Sequence, residues 1–215
     1  MLELRDYGFP ELSAYLHTAD NQGTQRKLKN YGVSFTVKGR GKDAIYTIQE
    51  ITQPIKVFAV FDVGISPQTD MKKFSYFLYE MLCDDEFSGM GAEMMEEYLR
   101  DKPTAISRQT ISKYLKSISA TGIVDVSNTD FVYYRVKKHF GCQTHETVSR
   151  EEYASAWRVY WQLKNEGYDS ASAFQAMYND FGGVPRKHGI IEKNGFYNDL
   201  IDWLTDELMK EVGEK

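Results

Sequence analysis

TAISRQTISKYLKSISATGIVDV, residues 104–126, starts polar, takes up a helical period and then breaks at a glycine into alternating β-branched residues. Ser107 has the short oxygen side chain that caps a helix start, and Ile111, Leu115 and Ile118 fall at i, i+4 and i+7, giving the helix one apolar face. The opposite face carries Arg108, Gln109, Ser112, Lys113, Lys116 and Ser119. Gly122 suits a left-handed helix end, and Ile123–Ser127, a turn at Asn128 and Thr129, and Phe131–Lys137 then read as a β-hairpin. Upstream, Lys72–Cys83 spaces Phe74, Phe77, Leu78, Met81 and Leu82 as a helix face. Ala92–Arg100 repeats that period with Met94, Met95, Tyr98 and Leu99 before Pro103 stops it. The predicted order is helix, helix, helix, hairpin.

In this order, SRQTISKYLKSISATGIVDV followed by FVYYRVK resembles the recognition helix and wing of the winged-helix DNA-binding superfamily. The resemblance covers about residues 71–138 and implies a third helix in the major groove and a hairpin on the adjacent backbone or minor groove. The residue types suit that chemistry: Arg and Lys pair with guanine, Gln with adenine, and Ser or Thr with base edges or phosphates. Ser107, Arg108, Gln109, Ser112, Lys113 and Lys116 on the helix, with Arg135 and Lys137 on the hairpin, are therefore the expected DNA contacts. Thr110 either joins them at a phosphate or packs at the helix start.

The first third repeats the idea more compactly. Pro10–Leu16 reads as a short helix, Asp20 or Asn21 caps a second one through Tyr31, and Gly32 ends it. VSFTVK, the tip GRGK and AIYTIQEI then form two alternating β runs, so this segment also resembles a helix-turn-helix unit with a wing. The tip presents Lys38, Arg40 and Lys42 on glycines that let the backbone come close, and an arginine there suits a narrow minor groove. Arg26, Lys27 and Lys29 on the preceding helix extend the basic surface. PIKVFAVFDV, from Pro54, reads as a further strand, and GISPQTD as a linker.

A net charge of −5 would argue against a polyanionic partner, but the charge is unevenly placed. Residues 1–65 hold 8 basic and 7 acidic groups, 66–140 hold 10 and 11, and 141–215 hold 8 and 13. No acid falls between Asp20 and Asp43, between Asp101 and Asp125, or between Asp130 and Glu146. Local charge decides what a groove meets, because salt screens exposed charges beyond about 10 Å. Two cysteines without a CxxC pairing suit a reducing compartment, the cytoplasm being the default. No signal peptide or spanning stretch is expected, hence no membrane partner.

From Thr147 the pattern is helical and acidic. Ser149 to Glu152 has capping-box spacing, and Tyr153, Trp157, Tyr160 and Trp161 form an aromatic stripe, expected as core or as a dimer face rather than a stacking platform for single strands. Ala171–Phe181 and Phe196–Val212 are two more helices, joined by GGVPRKHGIIEKNG, which reads as a loop. His139, Cys142 and His145 are too few for a zinc site, and Asp84, Asp85 and Glu86 read as a solvated acidic loop. With no phosphate-binding glycine loop and no nucleophile elbow, no catalytic constellation and no cofactor are expected.

The expected fold is mainly α with small β-hairpins, an α+β chain. Its expected parts are a winged-helix-like unit at 1–65, a winged-helix domain at 66–140 and an all-α acidic domain at 147–215. The expected function is non-enzymatic binding of double-stranded DNA, as in transcription regulators or plasmid and phage replication initiators. A homodimer would form through the C-terminal helices or the wing surfaces. The competing expectation is a winged-helix protein-interaction module that binds no DNA.

Overall fold

Antiparallel pairing sorts the strands of the computed structural model into two three-stranded sheets, each belonging to its own compact unit. The structure describes residues 1–102, 104–139, 142–194 and 197–213.

The first unit gathers Met1–Cys83, Ser112–Ile123 and Asn194–Lys215. It opens with β1 (Asp6–Gly8), α1 (Phe9–Tyr15), α2 (Asn21–Asn30), β2 (Val33–Lys38) and β3 (Ile45–Ile51), and its sheet has the order β1-β3-β2. Alternation along β3 turns Tyr46 and Ile48 inward onto Leu12, Leu16, Leu28 and Val33. Each fully buried aliphatic side chain here is worth about 1.5–3 kcal/mol, so this small core holds the two helices against the sheet. The Asp20 side chain accepts the Gly23 N–H at 2.6 Å, which fixes the start of α2. Pro54–Val63, expected as a strand, is helical instead: α3 (Pro54–Val57) runs into a wider turn through Asp62. Proline is favoured at the first helical position, and Ile55, Val57, Phe58 and Ala59 all find buried places on a helix that a half-exposed strand would not give them. The unit is completed by α4 (Met71–Cys83), most of α6 (Arg108–Ala120) and α9 (Tyr197–Gly213). Phe74 and Phe77 of α4 meet Tyr114 of α6 at 5.2 and 5.7 Å between ring centres, while Trp203 of α9 meets Phe58 edge-on at 5.3 Å.

The second unit gathers Asp84–Ile111 and Val124–Lys193. It holds α5 (Ala92–Leu99), the first turn of α6, β4 (Val124–His139), β5 (Cys142–Val148), α7 (Arg150–Asn165), α8 (Ser170–Phe181) and β6 (Val184–Lys193), with strand order β5-β4-β6. Two expectations are corrected here. Val184–Lys193 is a strand, so the segment from 147 onward is not all-α. Its partner β4 lies some fifty residues upstream, and that pairing supplies the backbone hydrogen bonds which the local sequence does not announce. Nor does the chain reverse at Asn128 and Thr129. β4 runs through, and the β4–β6 register shifts between Val126 and Phe131. The Ser127 hydroxyl accepts the N–H groups of Thr129 and Asp130 at 3.2 and 2.9 Å, so the turn-forming residues make a bulge. The hairpin partner of β4 is β5, paired from Tyr133 opposite Val148 to His139 opposite Cys142.

The units thus interleave along the chain, whereas successive blocks at 1–65, 66–140 and 147–215 were expected. Among the described residues, no helix is long and apolar enough to cross a membrane.

Candidate nucleic-acid interface

α2 buries Thr24 and Leu28 and leaves Gln22, Arg26 and Lys29 exposed at i, i+4 and i+7. Lys27 does not belong to that face. Its Nζ donates to the Leu16 carbonyl at 2.6 Å, closing the end of α1, and sits 5.5 Å from the centre of the Phe61 ring. It is a fold-holding lysine.

Between β2 and β3 the tip is exposed, with Lys38, Arg40 and Lys42 around Gly39 (φ 83°) and Gly41 (φ 61°). Both angles are left-handed, and at Gly39 a Cβ would stand 2.9 Å from the Asp43 carbonyl oxygen, so glycine is required there. The Asn21 amide donates to the Gly41 carbonyl at 2.9 Å, and its oxygen accepts from the buried Tyr46 hydroxyl at 2.7 Å. One side chain therefore ties the tip to the first residue of α2 and both to the core. Arg26, Lys29, Lys38, Arg40 and Lys42 form no ion pair among the described residues.

On α6 the buried face is Ile111, Tyr114 and Ile118, with Leu115 half-buried. Ser107, Arg108, Gln109, Ser112, Lys113 and Lys116 are exposed and Thr110 is half-buried. The Ser107 hydroxyl lies 3.0 Å from the Thr110 hydroxyl and 3.4 Å from the Thr110 N–H, forming the cap read from sequence. Arg108 is not free: its guanidinium lies 3.6 Å from Glu93, and its backbone N–H donates to Glu96 at 2.9 Å. Two carboxylates of α5 thus stand where a phosphate would meet the start of α6. Lys113 and Lys116 carry no ion pair among the described residues.

The two strand residues depart furthest from expectation. Arg135 is 19% exposed; it lies 3.7 Å from Glu146 and 4.0 Å from Glu152, with its guanidinium 4.5 Å from the Phe181 ring centre. Packing and paired acids hold it inside its own unit. Lys137 donates to Glu146 at 2.7 Å, and this contact, ahead of the nearby charges, holds the Glu146 carboxyl below its usual range. Both cations are neutralised locally, because β5 and the start of α7 bring acids that sequence separation concealed. The zinc reading at His139 and Cys142 rests on side chains outside the described residues. His145 Nδ1 stands 3.5 Å from Glu97. In the acidic loop, Asp84 accepts the Tyr98 hydroxyl at 2.6 Å and the Glu86 N–H at 2.9 Å, and those bonds lower its carboxyl below the ordinary range.

Sequence reasoning missed Gln22, which shares the exposed face with Arg26 and Lys29, and Asn21, which positions the tip. The spacing of Gln22 was legible as i, i+4, i+7; the reach of Asn21 across twenty residues was not. Comparison with family models, with curated proteins and with solved structures finds no match for the chain.

Proposed function

We propose that the chain is a non-enzymatic, double-stranded DNA-binding protein of winged-helix type, acting as a transcription regulator or a replication initiator. α2 lies in the major groove with Gln22, Arg26 and Lys29 toward the bases and backbone, and the Lys38–Lys42 tip contacts the flanking DNA. α6 contributes a further basic face through Ser112, Lys113 and Lys116. The observation that carries this reading is the tie from Asn21 to Gly41, which brings together, on a helix and on a hairpin tip, five cations that form no ion pair among the described residues. Phosphate contacts by such cations supply affinity that falls with salt, and Gln or Arg on a helix face supplies base discrimination.

Selection of bound fragments from a random duplex pool tests it. Enrichment of a defined motif, lost in Arg26→Ala, supports the reading; no retention of any duplex at low salt sinks it. A second reading, a protein-interaction module without DNA binding, draws support from Arg108, Arg135 and Lys137, whose charges are already met by carboxylates. It requires that Arg26, Lys29 and Arg40 can be neutralised without effect on any duplex.

A further inference from the structure

α7 lines a shallow groove with two adjacent rows of side chains at four-residue spacing, Tyr153, Trp157, Trp161 and Asn165 beside Ala154, Arg158, Gln162 and Glu166, of which Tyr153 and Trp157 are half-buried and the others exposed. Trp161 is 58% exposed, a large apolar area for one side chain to leave in water. Its ring is nevertheless held: it meets Tyr160 edge-on at 5.0 Å, and Tyr160 meets Trp157 edge-on at 5.6 Å. A ring fixed before contact loses little freedom on association.

The charges identify the occupant. Only two charged residues line the groove, Arg158 and Glu166, one toward each end, about 12 Å apart along the helix axis, with Gln162 midway. Neither forms an ion pair among the described residues; the Gln162 amide donates to Glu166 at 3.0 Å. If two copies of α7 cross antiparallel about a two-fold axis at Gln162, Arg158 of each copy faces Glu166 of the other, and the two Trp161 rings meet near the axis. The surface is then complementary to itself, which is what an isologous dimer requires. A polyanion would meet Glu166 at one end of the same groove. We infer that α7 is the face through which two copies of this chain associate, with Trp161 at the centre and paired Arg158–Glu166 contacts at the rim. Tryptophan and arginine are the side chains that most often dominate such interfaces. This inference does not depend on DNA binding.

Sedimentation equilibrium of the full chain, without nucleic acid, is the test. The wild-type protein is expected to be dimeric, and Trp161→Glu monomeric with an unchanged circular dichroism spectrum, since Trp161 is largely in water. Arg158→Glu and Glu166→Arg should each weaken association by about tenfold or more, because like charges then face each other. The double variant Arg158→Glu with Glu166→Arg should recover dimerisation. A wild-type monomer throughout the micromolar range overturns the inference, as does a dimer that survives Trp161→Glu or a double variant that rescues nothing. Quenching of Trp161 fluorescence by a single-stranded oligonucleotide bound to a monomer would assign the groove to nucleic acid and overturn it as well.

Discussion

Lys27 and Lys29 stand two residues apart on one helix and do different work. Lys29 projects into water, whereas Lys27 donates to the Leu16 carbonyl and lies over an aromatic ring. Lys29→Ala and Arg26→Ala are expected to weaken duplex binding and to lower the slope of log affinity against log salt by about 1 each, as read from titrations on one duplex. Lys27→Ala should leave that slope unchanged and lower the melting temperature, since it strips a carbonyl of its donor. His188 gives a residue-scale pH dependence. Burial lowers its pKa below the ordinary 6.5, the neighbouring Gly189 carbonyl only partly offsetting this. The folded chain thus resists a proton that the unfolded chain accepts, so stability is fully present above about pH 6.5 and falls as the pH drops below it. In chemical denaturation across pH 5–8, His188→Gln should flatten that decline; an equally steep decline in the variant would remove His188 as its cause.

At the scale of elements, the bulge in β4 depends on a glycine in its partner strand. A Cβ on Gly189 would run into the Ser127 carbonyl oxygen, a backbone atom with no room to yield. Gly189→Ala should therefore cost about 1–3 kcal/mol or more in denaturant unfolding, and a neutral result would mean that the strands cross otherwise than described. This element also shows what the sequence could and could not convey. Ser127, Asn128, Thr129 and Asp130 carry turn chemistry, and it operates, but whether such residues reverse a chain or bulge a strand depends on the partner. β6, far downstream, was invisible to local pattern because PRKHG alternates neither charge nor apolarity. Helices were legible where one face is buried, as at Ile111 and Ile118 of α6 or Leu200, Leu204 and Leu208 of α9. Among the candidate contacts, Arg26, Lys29 and the tip cations lie exposed, while Arg135 and Lys137 are held by acids that only the tertiary fold brings near.

At the scale of the whole molecule, a net charge of −5 coexists with a unit whose α2 and tip carry Arg26, Lys29, Lys38, Arg40 and Lys42, none of them in an ion pair among the described residues. This arrangement, tied together by Asn21, is the proposed DNA-binding surface. If two copies associate through α7, a preferred site would contain two related half-sites, as dimeric helix-turn-helix proteins require. The most direct test compares the salt dependence of duplex affinity in the wild-type chain and in the combined variant Arg26→Ala, Lys29→Ala, Arg40→Ala, Lys42→Ala. Each phosphate contact contributes a slope of about −0.9 on B-form DNA. Steep salt dependence is expected in the wild type and a loss of about three to four units of slope in the variant, with its circular dichroism spectrum unchanged. Equal slopes and affinities in the two proteins would contradict it.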